Sequence, residues 1–340
     1  MMNHRNFFIV VFPDCDLSKL PPAMKILVTG SAGHLGEALM RTLRARQVPT
    51  VGLDVLPSPF TDVVGSISDR ATVAACMRGV TAVLHAATLH KPHVTSHDRQ
   101  SFIDVNVTGT LNLLEEAVAQ RVGAFIYTST TSTFGDALTP PRGAPAAWIT
   151  EDVVPIPKNI YGVTKVAAED LCQLFFRNES LPCLVLRTSR FFPEEDDVLE
   201  KRRAFEEDNL KVNELLYRRV DIEDVVSAHL CALEKVGTLG FGRYVISATT
   251  PFSRGDAAEL GRDAPAVLAR RVPEYTAVFA ARGWRMLSAL DRVYDNERAR
   301  RLLGWEPRYD FRSAVQAVAT HGDWRSPLAR DVGSKGYHRV

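Results

Sequence analysis

Residues 26–43 hold the feature that most narrows what this chain can fold into. Ile26-Leu27-Val28 is an apolar run that closes on Thr29 and Gly30, as a strand buried on both faces of a parallel sheet reads. Ser31-Ala32-Gly33-His34-Leu35-Gly36 adds two more glycines, and Leu35, Leu39 and Leu43 follow at helical spacing. A buried strand, a glycine turn and a helix form the opening of a βαβ unit. The alternation continues. Val51–Leu53 reads as a strand, Asp69 as the N-cap of a helix through Met77, and Ala82–Ala86 as a strand. Ser101–Arg121 reads as one long helix, Ala124–Tyr127 as a strand, Tyr161–Arg177 as a helix and Cys183–Leu186 as a strand. This order predicts an α/β fold, a doubly wound parallel sheet of the Rossmann type.

From about Ser189 the rhythm weakens, with charged stretches over 194–208, a helix at Val225–Leu233 and a strand at Arg243–Ile246. In open α/β sheets the ligand lies beyond the carboxyl ends of the strands, and later irregular segments cover it. The expected division is therefore a dinucleotide-binding domain over 24–188 and a small C-terminal substrate-binding subdomain over 189–340. Segments 220–246 return to the first domain. Residues 1–23 read as a disordered extension: the apolar run Phe7–Phe12 is cut by Pro13, Asp14 and Asp16, too short for a secretory core. No run approaches the roughly 20 apolar residues of a membrane span. With 41 basic and 40 acidic residues, the chain lacks the positive field that holds nucleic acid or an anionic membrane. Its five scattered cysteines (Cys15, Cys76, Cys172, Cys183, Cys231) read as reduced thiols of a cytoplasmic protein.

The glycine turn points to a cofactor. Glycines at 30, 33 and 36 permit a tight turn, let the backbone approach a pyrophosphate, and bring helix close to strand. The helix start at His34 and Leu35 then offers N–H groups and a positive dipole end to the phosphates. Asp54 ends the next strand eighteen residues beyond Gly36, the place of an acid that accepts from the adenosine ribose hydroxyls and repels a 2′-phosphate. NAD is the expected cofactor. A second feature is Tyr161-Gly162-Val163-Thr164-Lys165, whose spacing sets Tyr and Lys on one helix face. An ammonium beside a phenol favours the phenolate, so the Tyr can take a hydroxyl proton or return it.

These motifs together resemble the extended short-chain dehydrogenase/reductase family, the NAD-dependent epimerases and dehydratases. The likeness rests on the TGxxGxxG spacing at Gly30, Gly33 and Gly36, on His85-Ala86-Ala87, on Asn106-Val107-Thr108-Gly109-Thr110, and on Leu303-Gly304-Trp305-Glu306-Pro307. It runs from about Met24 to Phe311. Where the family's third strand ends Gly-Asp-aliphatic, this chain has Gly65-Ser66-Ile67. The resemblance implies a catalytic Thr130, Tyr161 and Lys165, with Lys165 also reaching the nicotinamide ribose. Ser66, Ile67, Ala86, Ala87, Asn106, Ser129 and Arg187 join Gly30, Gly33, His34, Leu35, Gly36, Asp54, Tyr161 and Lys165 as implied cofactor residues, Asn106 chiefly as support for the active-site helix. A homodimer is implied through the 101–121 and 161–177 helices, whose outer faces would include Leu111, Leu114, Val118, Leu171 and Leu174.

The substrate is less legible. Family 4,6-dehydratases carry Asp-Glu after the catalytic Thr; Thr131 and Ser132 stand here and cannot supply that acid and base. Arg190 replaces the Asn of the epimerases' Arg-x-x-Asn, and about thirty residues follow before Val220-Asp221-Ile222-Glu223-Asp224. The short interval resembles relatives acting on small free sugars or sugar acids, so His90, Thr131 and Arg190 are expected on the substrate side. Arg190 would read a carboxylate there, or else pair outward with Glu194 or Asp196. His90, His93 and His97 read as substrate-side or solvated residues and not as metal ligands; no metal is expected. The reading is an NAD-dependent oxidoreductase of a sugar or sugar-acid hydroxyl or carbonyl. A nucleotide-sugar 4-epimerase and a catalytically silent NAD-binding regulator stand as alternatives.

Overall fold

The computed structural model describes residues 24–196 and 199–336, so the expected extension, 1–23, lies outside the described residues. Seven parallel strands form the central sheet: β1 (Ile26–Thr29), β2 (Thr50–Asp54), β3 (Val63–Val64), β4 (Ala82–His85), β5 (Ala124–Thr130), β7 (Cys183–Thr188) and β8 (Phe241–Ile246). Their order is β3-β2-β1-β4-β5-β7-β8. A second, two-stranded parallel sheet joins β6 (Ala147–Ile149) to β9 (Arg292–Tyr294).

Side chains alternate across the large sheet as the pleat demands. Ile26, Val28, Leu84 and Ile126 enter one core with α1 (His34–Ala45) and α8 (Ile222–Leu239). Leu27, Val83, Phe125 and Tyr127 enter the other with α2 (Arg70–Met77), α4 (Gly109–Ala119) and α5 (Ile160–Glu179). Both faces are covered, which is why β1, β4 and β7 read as unbroken apolar runs. Asp69 caps α2 by accepting from the Ala71 N–H (3.0 Å), as its position predicts. A third core gathers Val212, Leu216, Leu260, Leu268, Phe279, Val293 and Phe311 beside the small sheet, with α6 (Leu199–Ala204) and α7 (Glu207–Glu214) leading into it.

The helix expected over 101–121 is not continuous. α3 (Arg99–Ile103) passes through a π-helical turn, Asp104–Thr108, before α4 begins. The wider turn carries Asn106, whose Oδ1 accepts from the Leu89 N–H (2.8 Å) and whose Nδ2 donates to Leu89 O (2.9 Å) and Thr164 Oγ1 (3.0 Å). Asn106 thus fastens the loop after β4 to α5, a use of π turns common near functional sites. Near the C-terminus, fully buried Trp305 donates to Asp224 O (3.1 Å), and the Arg308 and Tyr309 N–H groups donate to the Asp224 carboxylate (2.9 Å each). The Leu303–Pro307 segment is therefore a clamp on α8. One thiol expectation is corrected: Cys76, Cys172 and Cys183 are free, but Cys231 is disulfide-bonded. Linear spacing does not reveal which cysteines a fold brings together.

Candidate active site

β1 and β4 are neighbours whose following loops run to opposite sides, and beyond their carboxyl ends lies a cleft of about 860 Å³. Its first end is the glycine turn. Gly30 has φ +73°, and its N–H donates to Leu53 O (2.8 Å). A Cβ on Gly30 would stand 2.7 Å from the Ala87 nitrogen, and one on Gly36 only 1.9 Å from the Gly30 carbonyl oxygen. Gly33 caps α1 without a side-chain acceptor, so the first-turn N–H groups remain for whatever enters the cleft that His34, Leu35 and Gly36 line. Asp54 accepts from the Ala32 N–H and the Leu56 N–H, 2.9 Å each, which holds its carboxylate between the glycine turn and the loop after β2. Ser66, Ile67, Ala86 and Ala87 complete this end. A backbone cradle that any Cβ would fill, a free helix N-terminus and a fixed acid suit a dinucleotide.

The second end brings Thr130, Tyr161 and Lys165 together at the end of β5 and the start of α5, all three lining the cleft. Asn159 starts α5 by accepting from the Gly162 N–H (3.1 Å). A Cβ at Gly162 would press on Pro157 Cβ at 2.9 Å and Ser132 O at 3.1 Å, so glycine lets the helix start seat against the turn after β5. Burial pushes the Tyr161 phenol up to about 12, opposed by a hydrogen bond with Thr130. Burial brings the Lys165 ammonium down to about 7, opposed first by Glu169. Lys165 Nζ donates to Thr128 O (2.7 Å) and stands 4.2 Å from the centre of the Tyr127 ring. Ser129 and Thr131 also line the cleft, although the Ser129 hydroxyl donates inward to Glu169 Oε1 (2.6 Å).

Two expected cofactor residues are elsewhere. Arg187 is buried behind the site in an ion pair with Glu169 (2.7 Å), because its place on β7 points it beneath α5. Asn106 is outside the cleft lining, spent on Leu89 and Thr164. Of the residues expected on the substrate side, His90 and Arg190 line the cleft around Phe192, with His90 5.9 Å from its ring centre and the Arg190 guanidinium carbon 4.8 Å. One terminal nitrogen of Arg190 already donates to the main-chain carbonyls of Glu194 (2.8 Å) and Glu195 (2.6 Å). A fully free two-pronged fork for a carboxylate is therefore not presented. Neither is the expected outward ion pair with Glu194 or Asp196, since backbone oxygens are its partners there.

The sequence reading missed Ser189, Phe192, Arg218, Arg292, Tyr294 and Lys335, which also line the cleft. Arg292 and Tyr294 arrive on β9, more than a hundred residues after the motifs, with no local pattern to announce them. The Lys335 N–H donates to Glu194 Oε1 (2.9 Å), which in turn lies 3.0 Å from His34 Nε2, so the C-terminal segment crosses the glycine turn. Among the described residues no group of three or more His, Cys, Asp or Glu is arranged to hold a metal ion.

Comparison with known proteins agrees with this geometry. The sequence model of the NAD-dependent epimerase/dehydratase family matches residues 26–247. The chain belongs to that family. It is an NAD-dependent enzyme type of the extended short-chain dehydrogenase/reductase class. The chain is 26% identical to the GDP-6-deoxy-D-mannose reductase of Pseudomonas aeruginosa over 90% of its own length and 99% of the relative's. It is also 26% identical to a UDP-glucose 4-epimerase of Rhizobium meliloti, over 91% and 98% of the two chains. A short-chain dehydrogenase/reductase superfamily protein from Agrobacterium tumefaciens, crystallised with bound NAD, shares the fold at TM-score 0.62 and 24% identity, covering 87% of this chain and 96% of that one.

Proposed function

We propose that the protein is an NAD-dependent oxidoreductase acting on a secondary hydroxyl or carbonyl of a sugar or sugar acid. The observation that carries this reading is the convergence of Thr130, Tyr161 and Lys165 in the same cleft as the glycine turn and Asp54. Bound NAD supplies the acceptor of a hydride, or its donor in the reverse direction. The chain does the rest. Thr130 holds the substrate oxygen beside the Tyr161 phenol, and Tyr161 takes the hydroxyl proton or gives it back. Burial makes a lone phenolate costly, so Lys165 must be charged when Tyr161 is ionised. His90, Thr131 and Arg190 border the sugar, while Asp54 meets the adenosine ribose. Thr131 and Ser132 after Thr130 offer no carboxyl group, which argues against a 4,6-dehydratase. A panel of free sugars and sugar acids, followed by NADH absorbance, tests the reading; accumulation of NADH with one of them supports it, and no response to any overturns net oxidation. The full-length likeness to a UDP-glucose 4-epimerase keeps a second reading: a product sugar epimer with no net NADH.

Asp54 should favour NAD over NADP by at least about tenfold, roughly 1.4 kcal/mol, because its carboxylate faces the position of a 2′-phosphate. Titration of both cofactors by intrinsic fluorescence checks this, and equal affinities would remove Asp54 from the role. We also infer a homodimer through α3, α4 and α5. Leu114 is fully buried and belongs to the core, but Ile103, Val163 and Leu174 are exposed, and Leu111, Val118 and Leu171 half-buried, on these helices. Light scattering should give twice the 37.6 kDa chain mass at micromolar concentration, and a monomer counts against it. No described helix is long and apolar enough to cross a membrane.

A further inference from the structure

We propose that Glu169 is a positioning residue for the acid–base pair, supplying from beneath α5 the counter-charge that keeps Lys165 an ammonium beside Tyr161. The inference rests on the function proposed above. Glu169 follows Lys165 by one helical turn and is 1% exposed. Three strands fix it. Oε1 accepts from Ser129 on β5 (2.6 Å), Oε2 from the Arg187 terminal nitrogen on β7 (2.7 Å), and Oε2 again from Arg243 Nε on β8 (3.1 Å). Its oxygens are so fully engaged that it cannot swing to contact Lys165.

Among the described residues the polar partners of Lys165 are neutral, the Thr128 carbonyl and the Tyr127 ring, and no carboxylate lies within ion-pair distance of it. The anion it feels most is Glu169, acting through the interior, where charges interact strongly across a few ångströms. Other titratable groups face this region. α5 itself contributes Tyr161, Cys172 and Asp170, the last paired with Arg243 (2.9 Å). β4 contributes His85, held neutral by burial, β5 contributes Tyr127, and β7 contributes Cys183 and Arg187. The π turn presents the uncharged Asn106.

The direction of each effect follows from charge. Replacing Glu169 by Gln removes the anion, lowers the Lys165 titration midpoint, and leaves Tyr161 without its cation at neutral pH. Replacing Arg243 by Gln removes a cation from the same carboxylate and should raise the midpoint. A residue that merely holds strands together would not produce shifts of opposite sign. The experiment follows Lys165 in the full chain by NMR of ¹³C-labelled lysine, with Lys165→Met to assign its signal, in wild type, Glu169→Gln and Arg243→Gln. The expected shifts are about one pH unit down and a smaller one up. Glu169→Asp should restore the wild-type midpoint. The rising limb of the oxidation rate against pH should move oppositely to the lysine midpoint, up in Glu169→Gln and down in Arg243→Gln. Should Glu169→Gln fail to fold, the upward shift in the half-exposed Arg243→Gln variant decides alone. Unmoved Lys165 midpoints overturn the inference whatever the substrate proves to be. Shifted midpoints in a protein without turnover would instead leave the inference standing and remove the proposed reaction.

Discussion

Tyr161→Phe is expected to bind NAD as the wild type does and to turn substrate over at least about a thousandfold more slowly, a loss of roughly 4 kcal/mol from the barrier. The ring stays, so the packing of a side chain that is 8% exposed is kept, and only the hydroxyl that meets Thr130 is removed. That hydroxyl is hydrogen-bonded to Thr130 in the cleft, with Lys165 one helical turn further along α5. Without it the substrate proton has no acceptor, while the glycine turn and Asp54 are untouched. Cofactor titration and steady-state rates measured on the same preparation separate the two effects. Activity within tenfold of wild type would move the acid–base role elsewhere, with His90 the first candidate across the cleft.

The second large effect is expected at Gly36→Ala. The added methyl would stand 1.9 Å from the Gly30 oxygen, 2.5 Å from its carbonyl carbon and 2.7 Å from the Ser31 Cα, all backbone atoms with no rotamer to yield. α1 must then retreat from β1, and the first-turn N–H groups leave the line of the pyrophosphate. NAD affinity should fall by at least about a hundredfold, roughly 2.7 kcal/mol, with a lower melting temperature from the overpacked junction. Fluorescence titration and a thermal melt measure both. Gly33→Ala makes a useful contrast, because Gly33 has φ −75° and extended backbone that alanine adopts.

The two ends of the cleft were legible in the sequence for a common reason. Gly30–Gly36 and Tyr161–Lys165 are local motifs whose chemistry is fixed by spacing on one turn or one helix face. Thr130 was reachable only through the family resemblance. Strands β1, β4, β5 and β7 were legible because a sheet covered on both faces needs unbroken apolar runs. The π turn was not, since the hydrogen bonds that favour it reach from Asn106 to Leu89 and Thr164, distant in sequence. Arg187 was misplaced because the motif gives its position but not its direction, and β7 turns it to Glu169. The rest of the cleft wall is assembled from Phe192, Arg218, Arg292 and Tyr294, which only the tertiary fold brings together.

The proposed function requires a hydride to pass between substrate and NAD in this cleft with Tyr161 as proton carrier. Single-turnover absorbance of the reduced nicotinamide, with enzyme in excess over the sugar or sugar acid that the panel identifies, tests it most directly. The wild-type protein should show the reduced signal within one turnover, lasting for a dehydrogenase and transient for an epimerase, and NAD-loaded Tyr161→Phe should show none. Product formed with no reduced nicotinamide would rule out hydride transfer to NAD, and an undiminished signal in Tyr161→Phe would rule out Tyr161 as the proton carrier.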